Sequence, residues 1–537
     1  GFNYIDENLD ITHDHDTQGD HGTHVSGIAT ANRYVAKNSP SGVTYSYADN
    51  GVVGTAPDAQ LLTMKVFGAG GGAYADDYIA AIEDAILLNC DAINLSLGSA
   101  AVGFTSAGNE YMDGVLDSLS KTDTVVCMSC GNSGYWSEHT NTPLGLLYTE
   151  DSNTGRVGSP GAYPNSLAVA SADNVGATGG YVCVGEEKYV YNDTASVAFG
   201  TLDTSDGGTG TAYDYLFLGD PTDPEDTVKY GGSAEDFTAL DVAGKIVLIS
   251  RGGGVNFADK QKHAMNAGAA GAIIYNNEAG TINMSLSGKL PCVSMRKDQM
   301  ESILAQSVQD AAGSYTGSMV VASGVATDLE ATGGVITMSS FSSWGVPGNL
   351  TLKPEITAPG GSIYSTRDGG QYGLMSGTSM ASPHVAGGMA IVKGAVQNRF
   401  PSLSAGQQKD MIDTLLMCTA SIVYDGDTPV SPRKQGAGLM DINAAAKTPA
   451  YLSVAGMERP KMELKDDPLR TGVYQLTFTV HNTGEAPLTY AASPIVLTDG
   501  TTSYTTGGQT VTITTETSVP LAHSYTTNWE NNPAWMP

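Results

Sequence analysis

The most constraining feature of this sequence is a regular alternation of short apolar runs and helical patterns over its first 175 residues. The runs "QLLTMKVF" (60–67), "DAINLSLG" (91–98) and "TVVCMSCGN" (124–132) have the length and apolar character of buried strands. An amphipathic segment, "YADDYIAAIEDAILL" (74–88), separates the first two. Such an alternation joins parallel strands by right-handed crossovers. The sequence therefore predicts an α/β fold with a parallel sheet buried between helices.

The pattern changes over residues 176–335, which are rich in Tyr, Gly, Thr and Asp. Their clearest piece (244–277) reads as a strand, a glycine-rich turn, a helix and a second strand. The α/β signals resume over residues 336–447, so we interpret the middle stretch as a domain inserted into the domain that residues 1–175 begin. Beyond residue 448, alternating and Thr-rich stretches predict antiparallel strands of a β-sandwich module over 448–537.

Charge and composition exclude some partners. The net charge of −30, from 26 basic and 56 acidic residues, disfavours nucleic acid and anionic membrane surfaces. No apolar run approaches the length of about 18 residues that a membrane span needs, so we predict no membrane insertion. Six cysteines are too few and too irregularly spaced for a disulfide framework. Cys127 and Cys130 lie in an apolar run and predict a buried strand, whereas a bridge between Cys183 and Cys292 stays open.

Three short stretches carry the residue types that acyl transfer needs. "GDHGTHVSGIA" (19–29) places His24 in a helix of small residues, and "VVCMSCGNSG" (125–134) places Asn132 at the end of a buried strand. "SGTSMASPHVAG" (376–387) begins a helix at or beside Ser379, with Pro383 in its first turn. A nucleophile, a base and an oxyanion donor are the three groups that this chemistry requires.

These stretches resemble those of subtilisin-like serine proteases, and so do "VVGTAPDAQLLTMKVF" (52–67), "INLSLGS" (93–99), "FSSWG" (341–345) and "KPEITAPG" (353–360). The resemblance implies that Ser379 attacks the scissile carbonyl and that His24 takes and returns its proton. It implies that Asn132 and the Ser379 amide hold the oxyanion.

The same resemblance implies a binding mode for the substrate. Ser96, Leu97 and Gly98, together with the glycine-rich turn around Gly71, resemble the two edges that enclose an extended peptide. A protein or peptide would then bind by strand addition.

Within the family, the chain is most similar to the large lactocepin-like cell-envelope proteinases. Residues 176–335 then resemble a protease-associated domain, and residues 448–537 a fibronectin type III-like module. The resemblance implies a secreted or cell-surface protein that needs no cofactor for its chemistry. It is also compatible with structural calcium.

The catalytic aspartate is where the sequence departs from the family pattern. That residue normally ends an apolar strand a few dozen positions before the histidine. Only 23 residues precede His24, and the segment around Asp6 lacks the expected small-residue turn. We therefore expect the aspartate upstream of residue 1, with Asp6 as the alternative, and interpret the chain as a piece of a longer precursor.

Simpler interpretations exist for each motif. A serine at a helix start is often only a cap, and His384 is expected to be structural. The acidic and histidine-rich stretch 13–24 has the spacing His21-x-x-His24, but it lacks the glutamate of a zinc hydrolase, so no metal site is predicted. The run Arg251–Gly254 resembles a phosphate loop only weakly. The main alternative to a protease is an inactive surface or adhesion protein on the same scaffold.

Overall fold

The chain divides into two compact units, residues 1–174 with 336–537, and residues 175–335. They are described here from a computed structural model. The structure describes the chain except for residues 13–18, 33, 40–41, 48–51, 69–71, 100–109, 135–154, 194, 196, 207–208, 223–230, 239, 279–281, 283, 285, 287, 312, 330–333, 465–468, 470–475, 493–494, 507–508, 521–524, 530–533 and 536–537.

The first segment of unit one contains seven strands and three helices in the described ranges. In chain order they are β1 (Phe2–Asn3), α1 (His21–Thr30), β2 (Tyr34–Ser39), β3 (Gly42–Tyr47), β4 (Met64–Lys65), α2 (Ala75–Leu87), β5 (Ala92–Leu95), α3 (Glu110–Leu119), β6 (Val125–Ser129) and β7 (Leu167–Asp173).

Unit two is an α/β unit of its own. Its elements are β8 (Ala177–Val184), β9 (Glu187–Val190), β10 (Thr211–Phe217), β11 (Ile246–Ser250), α4 (Phe257–Asn266), β12 (Gly271–Tyr275), β13 (Cys292–Met295), α5 (Lys297–Ala305), β14 (Val308–Gln309) and β15 (Tyr315–Asp328). They form one sheet in the order β13-β12-β11-β10-β15-β8-β9, with β14 beside β15. Cys183 on β8 and Cys292 on β13 lie at distant strands of this sheet and are free thiols, so they do not form the bridge left open above.

The second segment of unit one begins with β16 (Ile356–Gly361), the hairpin β17 (Ile363–Arg367) and β18 (Gln371–Met375), and the long helix α6 (Thr378–Arg399). The elements that follow are α7 (Ala405–Thr419), β19 (Tyr424–Asp425), β20 (Thr428–Pro429), α8 (Pro432–Gln435), α9 (Ile442–Lys447), β21 (Ala450–Ser453), β22 (Thr479–Asn482), β23 (Leu488–Ala492), β24 (Ile495–Thr506), β25 (Gln509–Pro520), β26 (Tyr525–Trp529) and β27 (Ala534–Trp535).

A parallel sheet in the order β16-β7-β6-β5 lies at the centre of unit one. Side chains alternate between its faces, as a strand requires. Val125 and Cys127 pack against α6 and α7, whereas Val126 and Met128 pack against α2 and α3. Burial on both faces explains the continuous apolar run of β6. The predicted α/β fold with a parallel sheet between helices is thus confirmed.

The cysteine pair of β6 also behaves as the sequence predicts. Cys127 and Cys130 are free and fully buried, and burial raises the pKa of each thiol, to about 12 and about 11. A thiol that stays protonated is a poor nucleophile and a poor metal ligand. The pair is therefore part of the core.

The strands after residue 448 form three separate ladders, β21-β22-β27, β23-β26 and β24-β25. A fibronectin-like sandwich in this region stays a prediction. In the described part of the chain, no helix has the length and apolar character to cross a bilayer.

Candidate active site

Ser379 is the second residue of α6, which begins directly after Gly377. Its side chain is half-buried, and its Oγ lies 3.4 Å from the carbonyl oxygen of Ser96. The amides of a first turn have no acceptors within their own helix, and the helix dipole adds positive potential there. Ser379 therefore stands where a negatively charged oxygen would be stabilised.

Asn132 follows β6 and is fixed by the residue before Ser379. Its Oδ1 accepts hydrogen bonds from the Thr378 amide at 2.9 Å and from the Thr378 hydroxyl at 3.0 Å. Because a backbone amide can only donate, the atom facing Thr378 must be the oxygen of the Asn132 side chain. Its NH₂ group is consequently turned away from Thr378 and can donate elsewhere.

Two donors border the same small space beside Gly377. A Cβ atom placed on Gly377 would lie 3.5 Å from Nδ2 of Asn132 and 3.6 Å from the amide nitrogen of Ser379. Glycine leaves this space open. Two hydrogen-bond donors thus border this space, and an oxyanion hole is built from donors of this kind.

Ser96 supplies a hydrogen bond at the start of α6 that Pro383 cannot make. A residue four positions before a proline has no helical donor for its carbonyl, because proline lacks an N–H. For Pro383 that residue is Ser379, and Oγ of Ser96 donates to the Ser379 carbonyl at 2.7 Å. The first-turn position expected for Pro383 was wrong, because α6 begins at Thr378 and Pro383 is its sixth residue.

His24 lies in the first turn of α1 and is fully buried. Its Nε2 lies 3.1 Å from the carbonyl oxygen of Ile363 and 3.0 Å from that of Gly373, so Nε2 carries the proton in this arrangement. Its Nδ1 is buried without a partner among the described residues. Burial lowers the pKa of His24, with smaller lowering from the Arg367 and His21 charges, while the two carbonyls oppose this shift.

The structure brings Ser379 and Asn132 together, but it directs the imidazole of His24 to the β17–β18 hairpin. The atoms within hydrogen-bonding reach of Nε2 and of the Ser379 hydroxyl are backbone carbonyls in both cases. Asp6 is not in contact with His24 either, because Nδ1 of His24 has no partner among the described residues and the Asp6 carboxylate accepts from the Asn3 side chain at 3.0 Å. His24 thus lies against the hairpin that leads to Ser379, and no carboxylate from the described residues contacts its ring.

The residues expected to bind substrate lie where β5 ends. Ser96 and Leu97 are half-buried and Gly98 is exposed. A side chain on Gly98 would meet the Ser159 carbonyl oxygen at 2.8 Å, so glycine permits this close approach. Gly71 lies outside the described residues, and peptide binding by these residues stays a prediction.

Other sequence expectations concern His384 and the acidic stretch. Nδ1 of His384 lies 2.9 Å from the Met380 carbonyl oxygen of its own helix, and burial lowers its pKa, as expected of a structural histidine. Residues 13–18 of the acidic stretch lie outside the described residues. Among the residues that are described, no group of three or more His, Cys, Asp or Glu side chains is arranged to hold a metal ion.

The sequence interpretation missed two supporting residues. Thr378 fixes the side chain of Asn132, and the Ser96 hydroxyl holds the Ser379 carbonyl. The second could have been inferred in part, because a proline four residues after Ser379 requires a substitute donor. Nothing in the sequence indicates which residue supplies it.

The sequence of this chain matches those of known proteins over most of its length. A family model described as the subtilase family matches residues 2–438. A PII-type proteinase of Lacticaseibacillus paracasei is 34% identical over 517 residues, which are 91% of this chain and 25% of that protein. A C5a peptidase of Streptococcus pyogenes is 30% identical over 496 residues, which are 90% of this chain and 39% of that protein.

Among solved structures, the psychrophilic subtilisin-like protease Apa1 of Pseudoalteromonas sp. AS-11 covers 80% of this chain and 83% of its own, with 19% identity and a TM-score of 0.42. The chain spans about a quarter of the length of the PII-type proteinases that it matches.

Proposed function

Because this chain belongs to the subtilase family, we propose that it is the catalytic part of a serine endopeptidase that hydrolyses proteins through an acyl-enzyme. The observation that carries the proposal is the pair of donors, Asn132 Nδ2 and the Ser379 amide, on either side of the open space at Gly377. The nucleophilic hydroxyl of Ser379 belongs to the same turn. The names of the relatives, proteinases and a peptidase, agree with this chemistry.

In the proposed reaction, Oγ of Ser379 attacks the scissile carbonyl carbon while Nε2 of His24 accepts the hydroxyl proton. The carbonyl oxygen becomes an oxyanion and accepts hydrogen bonds from Asn132 and the Ser379 amide. Collapse of this intermediate breaks the C–N bond, and His24 returns the proton to the leaving amine. Water then repeats the sequence on the ester and restores Ser379.

His24 must turn before it can act in this way. At present Nε2 carries the proton and faces two carbonyls, whereas a base needs an unprotonated Nε2 directed at Ser379. A carboxylate at Nδ1 would hold the proton on that nitrogen and leave Nε2 free to accept. We place this carboxylate outside the described residues, since Nδ1 is buried and unpartnered among them.

The same proposal covers the substrate and its surroundings. An extended peptide would pair with Ser96, Leu97 and Gly98 beyond β5, with the turn at Gly71 on its other side. The chemistry needs no cofactor, and structural calcium takes part in no step. Secretion or a cell-surface location, the protease-associated identity of unit two and the fibronectin-like module are proposed on the sequence resemblance.

Fluorophosphonate labelling of the full-length gene product tests this function. We expect one adduct, on the peptide that contains Ser379, and loss of the adduct in Ser379→Ala. Peptidase activity should fall about a millionfold, the loss known for the nucleophile of subtilisin. Ser376→Ala is the matched control, because Ser376 is an exposed serine three residues away and should leave labelling unchanged.

One observation favours the second candidate, an inactive protein on a protease scaffold: Nε2 of His24 is engaged by carbonyls and not by Ser379. This candidate predicts a folded full-length protein that takes up no fluorophosphonate. Such a result would replace the peptidase proposal.

A further inference from the structure

The last three residues of β17 all bind the first turn of α1 and the residue before it. Oγ of Ser365 donates to the His24 carbonyl at 2.8 Å, and Oγ1 of Thr366 donates to the Thr23 carbonyl at 2.8 Å. The Arg367 guanidinium reaches the Asp20 carboxylate, with Nη1 3.4 and 3.3 Å from its two oxygens. One strand edge therefore holds the turn that carries His24.

The strand that makes these contacts is connected directly to the nucleophile. β17 continues through a tight turn into β18, which ends at Met375, four residues before Ser379. The Gly377 amide in turn donates to the Gly360 carbonyl at 2.8 Å, which ties the nucleophile turn to β16. A shift of α1 along β17 would therefore change the separation of His24 and Ser379.

The Asp20 side chain contacts another element and does not cap α1. Asp20 is the residue that precedes α1, where aspartate commonly caps the helix through its side chain. Here the side chain makes no capping hydrogen bond, although the Asp20 backbone carbonyl accepts from the His24 amide at 2.9 Å. The carboxylate is directed to Arg367 instead, so its contact links two elements.

Arg367 also touches the segment that holds the imidazole. A Cβ on Gly373 would meet Nε of Arg367 at 2.7 Å and its Cζ at 3.4 Å, so the guanidinium lies directly over this glycine. Nη2 of Arg367 donates to the Leu374 carbonyl at 3.3 Å, and the Gly373 carbonyl faces Nε2 of His24 at 3.0 Å. One side chain thus contacts both the strand beside the imidazole and the start of its helix.

We propose that Arg367 and Asp20 form a clamp that positions the His24 helix against the hairpin leading to Ser379. Both are positioning residues, since they act through His24. The inference rests on the proposed peptidase function and adds a requirement to it. The side chains of Arg367 and Asp20 are 35% and 20% exposed, and ion pairs that water reaches contribute little to stability. Substituting either residue is therefore expected to change the reaction rate more than the stability of the fold.

The test measures the second-order rate of fluorophosphonate labelling at Ser379 in the full-length gene product. Arg367→Ala and Asp20→Asn should each lower this rate roughly tenfold, since small displacements of a catalytic group cost rate steeply. Arg367→Lys keeps the charge but lacks the planar fork, so it should recover part of the rate. Lys245→Ala is the control, because Lys245 and Asp241 form an ion pair in unit two with the same 3.3 Å separation.

The pH dependence separates positioning from general loss of structure. Besides Arg367 on β17, the titratable groups near His24 are His21 on its own helix and His384 on α6. The Arg367 cation lowers the pKa of His24. Arg367→Ala should therefore raise that pKa and move the acid limb of labelling to higher pH, whereas Arg367→Lys should leave the limb in place.

The outcomes are distinct. Slower labelling with a shifted limb in Arg367→Ala, at unchanged melting temperature, supports the clamp. If the wild type is labelled at Ser379, and Arg367→Ala and Lys245→Ala are labelled at equal rates, the clamp is overturned and the peptidase proposal stands. A wild-type protein that is not labelled at Ser379 overturns both.

Discussion

In the proposed site, the half that carries Ser379 (the nucleophile half) and the half that carries His24 (the base half) are held in different ways. Ser379 and Asn132 are fixed by Thr378 and Ser96, on helix and sheet elements that pack into the core of unit one. Nε2 of His24 faces carbonyl oxygens of the β17–β18 hairpin, and the partly exposed ion pair of Arg367 and Asp20 links that hairpin to the start of the His24 helix. Nδ1 of His24 lacks a partner among the described residues.

This difference indicates which contacts hold each half of the site in place. The nucleophile half is anchored by the buried Thr378 and by elements of the core of unit one, so its defects should appear both as lost stability and as lost rate. The base half is organised by backbone carbonyls and hydroxyl groups of the β17–β18 hairpin and by the partly exposed Arg367–Asp20 ion pair, and we propose that a carboxylate outside the described residues completes it. Loss of the ion pair should appear in the rate and its pH dependence, at nearly constant stability.

The largest stability effect is expected at Glu355, which directly precedes β16, the strand whose Gly360 carbonyl accepts a hydrogen bond from the Gly377 amide of the nucleophile turn. It is almost fully buried; its Oε1 lies 2.8 Å from Nζ of both Lys353 and Lys461, and its Oε2 accepts from the Ala168 amide at 2.7 Å. Glu355→Gln would leave the buried Lys353 ammonium without a counter-charge from the described residues, while Lys461 keeps Glu463 at 3.1 Å, and it should cost about 3 to 5 kcal/mol in the free energy of unfolding. Urea unfolding measures this loss.

The control and the pH dependence sharpen this expectation. Glu301→Gln removes an exposed carboxylate 3.9 Å from Lys297 and should leave the unfolding midpoint unchanged. Burial alone would raise the pKa of Glu355, but Lys353 and Lys461 lower it from 4.5 to about 2. The stability contributed by its charge is therefore full above pH 4.5 and declines as the pH falls toward 2. Equal losses in the two variants would contradict the buried anchoring of β16 by Glu355.

Asn132 should affect the rate most strongly among the oxyanion groups. Asn132→Ala is expected to lower kcat about 100- to 1000-fold with little change in KM, the size known for the corresponding donor of subtilisin. Asn132→Asp is the sharper variant, because a carboxylate still accepts from Thr378 but no longer donates. It should fold as stably as the wild type and lose kcat to a similar extent. Full kcat in Asn132→Asp would show that donation from this residue is not needed.

Much of the fold could be predicted from the sequence, and so could a candidate set of site residues. The apolar run of β6 is buried on both faces, and a motif around Ser379 needs no three-dimensional information to be recognised. What could not be predicted depends on pairs of residues far apart in the chain. Examples are Ser96 with Ser379, and Arg367 with Asp20.

The orientation of the His24 imidazole could not be predicted from the sequence, for a different reason. A motif specifies the residue type and its helix, but the direction of an imidazole depends on the hydrogen-bond partner of each ring nitrogen. Here two backbone carbonyls occupy Nε2, and neither is identified by its side chain. Main-chain partners leave no signal in a single sequence.

The smallest expected effect tests the link between Ser96 and Pro383. Ser96→Ala removes the donor that serves the Ser379 carbonyl, and an unsatisfied carbonyl in this partly buried position should cost about 1 to 3 kcal/mol of stability. Ser118→Ala is the control, because Ser118 also donates to a carbonyl, that of Gly114 at 2.9 Å, but at an exposed site. It should cost less than Ser96→Ala.

Pro383→Ala supplies a backbone N–H four residues after Ser379, which can take over the same carbonyl. Ser96→Ala should therefore cost less in the Pro383→Ala background than in the wild type. Ser96 also accepts from Nδ2 of Asn94 at 3.0 Å, but that loss is common to both backgrounds and cancels in the double-mutant cycle. Urea unfolding of the four proteins measures the coupling directly. Strictly additive costs would mean that the hydroxyl of Ser96 does not stand in for the missing amide.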